Sequence, residues 1–205
     1  MKTRRARKPG LFRRLGGLYH RMEKQYDELA RRVEFSCRGC EDNCCVSFFQ
    51  HHTHIEWAYL WQGLQALPQE QRERYLERAR LNVELCREAL ARGELPRVMC
   101  PLNDDGLCGV YAHRLMICRL HGVANTLTMP GRLPARWPGC DRFQAIVRGL
   151  DPGRVPVLDR TPLYRELAEL EMEHLSGLDR PLPRVDMTLA EMLVAGPPPS
   201  LTSRG

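Results

Sequence analysis

The chain lacks any run of eighteen apolar residues, so no membrane-spanning helix can be drawn on it. It also lacks the apolar core of a secretory signal: behind the basic stretch from Met1 to Arg14, the apolar residues are interrupted by Arg13, Arg14, His20 and Arg21. The Arg4-Arg5 pair has no apolar stretch to turn it into a twin-arginine export signal. A cytoplasmic location is therefore expected. No alternating run of β-branched residues is long enough to mark a strand, and no internal repeat is visible. Also missing is a Gly-rich strand-to-helix turn of the kind that cradles a nucleotide-like cofactor. These absences leave a mainly α fold, a small irregular helical domain with loops rich in cysteine.

Net positive charge is confined to one segment. Residues 1–35 carry eleven Lys/Arg against four Asp/Glu, a net +7, which leaves −1 for residues 36–205 of a chain whose total is +6. A basic leading segment could touch nucleic acid or another acidic surface, but it also reads as a solvated arm and helix face. Its aromatics, Phe12, Tyr19, Tyr26 and Phe35, lie mostly on a packing stripe and do not interleave with the basic residues as a base-stacking platform would. Nucleic acid is not expected as a partner.

That stripe, Leu11, Leu15, Leu18, Met22, Tyr26, Leu29 and Val33, recurs at three and four residues and predicts a helix from about 11 to 34. Thr53 and Glu56 match a capping box for a second helix that should stop near Pro68. A third, over 69–92, places Leu76, Ala79, Val83, Cys86 and Leu90 on one face, with Gly93 beyond its end. Segments 94–110 and 122–141 read as loops around a short helical piece at 110–120. Helical patterning returns at 140–149, after the Thr161-Pro162 pair, and after Thr188, where Glu191 completes another capping box. The organisation expected is a basic arm and amphipathic helix at 1–35, a cysteine domain at 36–150, a helical extension at 151–196 packed on it, and a disordered tail at 197–205.

Cysteine is what the chain has in plenty. A chain of 205 residues can bury a core without cross-links, so nine cysteines are not needed to make the fold possible. In a reducing compartment clustered cysteines read first as metal ligands, ahead of a disulfide framework. Cys86 sits on a helical face and reads as a small buried hydrophobe. The other eight, Cys37, Cys40, Cys44, Cys45, Cys100, Cys108, Cys118 and Cys140, fall in or beside loops and helix ends and form the candidate ligand set. Cys37-Arg38-Gly39-Cys40 is a C-x-x-C turn that lets two thiolates meet one ion. For both Cys44 and Cys45 to reach that ion the chain must turn at Asn43–Cys44; otherwise each serves a different metal. Soft thiolates select zinc, Cu(I) or iron–sulfur chemistry. Arg38, Arg114 and Arg119 could offset the negative charge of such a site or lie on the surface, and Tyr111, Arg114 and Cys118 would share one helical face. His51, His52 and His54 could join a mixed site but read as a solvated helix start. Asn103-Asp104-Asp105-Gly106 reads as a turn and lacks an EF-hand's ligand pattern. A thioredoxin-like redox motif lacks its βαβ setting.

The run Cys37-x-x-Cys40-x-x-x-Cys44-Cys45, followed by Thr53 to Glu56, Cys100-Pro101, Gly106-Leu107-Cys108-Gly109-Val110-Tyr111 and Arg114-Leu115-Met116-Ile117-Cys118-Arg119, resembles the CxxCxxxCC family, described as a zinc- or iron-chelating domain. The resemblance covers residues 37 to about 140. One departure is Leu115 where proline is usual, from which a helix running through to Cys118 is expected. The resemblance implies a zinc ion or an iron–sulfur cluster, 4Fe–4S among the types open. Cys100-Pro101 echoes the end of the bacterial ferredoxin run and favours iron slightly. A flagellin lysine N-methylase carries a similar cysteine domain. The alternative implied is thus a protein (lysine) N-methyltransferase with the cluster at its active site and a protein as its substrate, although little of this chain lies beyond the cysteine domain to host that substrate.

Overall fold

The computed structural model describes residues 10–38, 40, 44–176, 178 and 180–202. Among them lie α1 (Leu11–Arg32), α2 (His54–Gln65), α3 (Gln69–Ala91), α4 (Met116–Leu120), α5 (Asp141–Val147), α6 (Thr161–Leu175), α7 (Leu189–Ala195) and α8 (Pro199–Thr202). The strands are short: β1 (Asn103–Asp104), β2 (Leu107–Cys108), β3 (Asn125–Leu127), β4 (Ala135–Trp137) and β5 (Leu158–Asp159). The class is mainly α. No helix among the described residues is long and apolar enough to cross a membrane. The chain divides into two compact units, the first of residues 1–14, 45–115 and 169–205, the second of 15–44 and 116–168.

In the first unit, Trp57, Leu60 and Leu64 of α2 meet Tyr75 and Ala79 of α3 and Ala190, Met192 and Leu193 of α7 in one core. The buried face of α3 is Tyr75, Ala79, Asn82 and Ala89, a register displaced from the apolar stripe. Leu90, expected inside, is 52% exposed. The reason is steric: small Ala and Asn positions let α7 pack closely on α3, and the Tyr75 hydroxyl is fixed by Asp104. The tail also departs from expectation. Segment 197–205 was to be disordered, yet α8 forms, with Ser200 fully buried and its hydroxyl 2.8 Å from His174 Nε2. Residues 203–205 lie outside the described residues.

The caps divide in the same way. Thr188 and Glu191 form the expected capping box, Glu191 N donating to Thr188 Oγ1 and Thr188 N to Glu191 Oε2. Thr53 does not cap α2: its hydroxyl donates to Glu56 Oε2 at 2.8 Å. The carboxylate of Glu171 on α6 takes the role, accepting from His54 N at 2.9 Å and Ile55 N at 2.8 Å. The 103–106 segment is the tip of the β1–β2 hairpin, where Asp105 (φ 50°) and Gly106 (φ 89°) both take positive φ and Asn103 Oδ1 accepts from Gly106 N.

In the second unit, α1 buries Leu15, Leu18, Tyr19, Met22 and Leu29, as its periodicity predicts. A three-stranded sheet in the order β4-β3-β5, with β3 antiparallel to β4 and parallel to β5, takes β3 and β4 from a segment read as loop and β5 from the expected helical extension, because two- and three-residue strands are too short to show alternation. Thr161 is the first residue of α6, not its cap; its amide donates to Asp159 Oδ1 while its hydroxyl accepts from Thr128 N. The expected continuous helix through Cys118 is broken. A 3₁₀ turn at Tyr111–His113 ends at Arg114, whose ψ of 137° is extended, and α4 starts only at Met116. Full burial of the Leu115 side chain in this break shows what the extended residue achieves. Tyr111, Arg114 and Cys118 therefore do not share a helical face.

Candidate metal centre

All nine cysteines are thiols, and none is in a disulfide. In the second unit the C-x-x-C segment is a closed turn: Cys40 N donates to Cys37 O at 3.2 Å, and Ser36 Oγ accepts from Arg38 N at 3.1 Å. That fold of the backbone carries both sulfurs on one short loop, as a shared ion requires. Gly39 and the turn expected at Asn43–Cys44 fall on residues 39 and 41–43, outside the described set. Cys44 opens a 3₁₀ turn, Cys44–Val46. Cys140 occupies the N-cap position of α5, its amide donating to Gly122 O at 3.0 Å.

One of these thiols meets a residue that the sequence placed only on a packing stripe. The Tyr26 hydroxyl lies 3.8 Å from Cys37 Sγ. Burial first, then negative charge on Cys37 and the hydrogen bond with it, then charge on Cys140 and on Cys44, hold the phenol far above its ordinary range. Tyr26 thus keeps its proton beside the sulfur of Cys37 and within electrostatic reach of Cys44 and Cys140. Its ring packs against Phe35, centroids 6.4 Å apart, and Phe35 meets Phe143 at 5.5 Å. Nothing local announces this: the nearest of the three cysteines is eleven residues away, and helical periodicity reports a face without naming what comes to it.

In the first unit, Cys45, Cys100 and Cys108 are tied through the backbone. Cys100 N donates to Cys45 O at 2.9 Å, Asn103 N to Cys100 O at 3.0 Å, and Asn103 pairs with Cys108 across the hairpin. The side chains of Cys100 and Cys108 pack against the apolar core. Cys118 is half-buried in α4, in the second unit. Cys86 is half-buried rather than fully enclosed; its thiol donates to Asn82 Oδ1 at 3.5 Å, and burial, with Glu191 adding, pushes its pKa up. Among the described residues, no three His, Cys, Asp or Glu side chains stand in the geometry of a bound ion.

The histidines depart from the solvated helix start expected of them. His51 and His54 are buried. His51 exchanges both backbone hydrogen bonds with Met187, and His54 Nε2 contacts Pro183 O at 2.9 Å. Only His52 is exposed, with Nδ1 3.4 Å from Asp186. The guanidinium of Arg119 lies over Tyr19 at 4.4 Å and that of Arg114 over Tyr111 at 5.4 Å, so both are engaged with aromatic faces.

By their chemistry the thiols suit a soft cation: they sit on a tight turn, a 3₁₀ turn and a helix cap, and the Tyr26 hydroxyl lies beside one of them, Cys37. Set beside protein-family models, curated proteins and solved structures, the chain matches none.

Proposed function

We propose that this chain is a metal-binding protein whose cysteine thiolates hold an iron–sulfur cluster or zinc. The observation that carries the reading is the Tyr26 hydroxyl beside Cys37 Sγ, with Cys44 and Cys140, drawn from two distant segments, near enough to act on it electrostatically. The Cys37–Cys40 turn adds a fourth sulfur from the same unit. Likeness of the cysteine spacing to the CxxCxxxCC family supports the same chemistry, and a reducing cytoplasm would keep nine thiols available for it. Metal binding would deprotonate the ligating thiols, so affinity should fall as the solution is acidified.

Anaerobic purification followed by metal analysis and a visible spectrum tests the proposal. The outcome expected is brown protein with broad sulfur-to-iron absorption, or colourless protein with stoichiometric zinc. Folded protein that resists chelator and contains neither metal would sink it.

A further inference from the structure

We infer that Tyr26 is a positioning residue of the metal centre, its hydroxyl donating a hydrogen bond to the metal-bound thiolate of Cys37. The inference rests on the reading of Cys37 as a ligand and adds a residue outside the cysteine set. A hydroxyl facing a thiol leaves open which atom donates, and the 3.8 Å contact allows either. Metal ligation removes that freedom. A ligating sulfur carries no proton, so the phenolic O–H is then the donor.

The contact belongs to a built arrangement. Tyr26 projects from α1, a helix fixed by the fully buried Leu15, Leu18 and Met22, and Phe35 and Phe143 hold the ring's surroundings. Space for the hydroxyl depends on Gly122. A Cβ there would lie 2.7 Å from the Tyr26 oxygen, and its φ of 111° suits glycine alone. The Gly122 carbonyl also accepts from the amide of Cys140, so one residue makes room for the phenol and anchors a neighbouring thiol. A hydrogen bond to ligand sulfur withdraws electron density from it. The bound sulfur becomes a weaker nucleophile, and a cluster it held would be easier to reduce.

Tyr26→Phe removes the donor and keeps the ring. The protein is purified anaerobically with whatever metal it holds, and each cysteine's rate of alkylation by iodoacetamide is followed by peptide mass spectrometry. With metal content unchanged, Cys37 should react faster than in the parent, by roughly three- to ten-fold, while Cys118 and Cys100 keep their rates. An unchanged Cys37 rate at full metal content overturns the inference and leaves the metal reading intact. Equal acceleration at every cysteine also overturns it, since that is loosening of the fold. If the phenylalanine variant loses metal or does not fold, 3-fluorotyrosine placed at position 26 alone decides. As a stronger donor of nearly the same shape it should slow Cys37, and no change there refutes the hydrogen bond. A parent protein free of metal overturns both readings together.

Discussion

At the scale of single residues, burial assigns different work to side chains of the same type. Cys86 donates to Asn82, whose amide in turn holds Met99 O at 2.9 Å on the approach to Cys100. Truncating Cys86 to Ala should cost on the order of 1 kcal/mol through lost packing and leave metal content intact. Cys40→Ser and Cys44→Ser should lose metal, because serine supplies no thiolate. Equal metal loss in all three variants would show this partition of the cysteines to be wrong. His51 offers a separate handle. Its burial, with the neighbouring charge of His52, lowers its pKa to about 3 from the ordinary 6.5. Between those values the unfolded chain binds a proton that the native state refuses. The contribution of His51 is therefore flat above about pH 6.5 and turns destabilising as pH falls from there towards 3, by an amount on the order of a few kcal/mol. His51→Gln should flatten that part of the profile in urea unfolding followed by circular dichroism. A slope unchanged by the substitution would mean that His51 is not the group responsible.

At the scale of elements, local signals succeeded where the partner was local. The α1 stripe and the Thr188–Glu191 box involve residues within a few positions of one another; the box formed as read, and the stripe did so except at Tyr26 and Val33, which are half-buried. Thr53 and Glu56 carry the same pattern, but the two side chains bond each other and the amides of α2 turn to Glu171, 117 residues from His54. No spacing rule reaches that far. The same limit hid Tyr26 from the cysteine set and displaced the buried face of α3, since small residues that admit α7 carry no apolar signal. The C-x-x-C turn was legible, whereas the electrostatic tie of Cys140 and Cys44 to Tyr26 needed the fold. The capping arrangement can be tested directly. Glu171 accepts from two helix amides, and burial nevertheless raises its carboxyl pKa. Glu171→Ala should destabilise by about 1–2 kcal/mol, the usual worth of a cap, while Thr53→Ala should cost less than about 0.5 kcal/mol. Chemical denaturation of the two variants compares them, and a larger loss at Thr53 would return the cap to that residue.

For the molecule as a whole, the remaining matter is what its basic segment does. Residues 1–35 hold net +7, yet the structure engages several of those cations internally. Arg14 pairs with Glu173 at 2.6 Å, Arg21 pairs with Glu166, and Arg31 Nε donates to Asp27 O at 3.2 Å. The two ion pairs contribute little stability, under about 1 kcal/mol each, but their carboxylates cancel charge that a phosphate backbone would otherwise meet. Of the aromatics on α1, Tyr19 is buried and Phe12 and Tyr26 are half-buried, so no open aromatic stripe runs along that helix for stacking on bases. The Lys and Arg residues before Pro9, expected to move freely, lie outside the described residues. A nucleic-acid protein would release counterions from each phosphate it neutralised, and its affinity would fall steeply with salt. The outcome expected here is binding to RNA at the non-specific level, roughly micromolar or weaker at physiological salt, in a titration repeated at several salt concentrations. Deleting residues 2–9 should leave metal content unchanged, because the candidate ligands all follow Phe35. Nanomolar, sequence-selective binding at physiological salt would overturn this and make the basic segment, rather than the thiols, the centre of function.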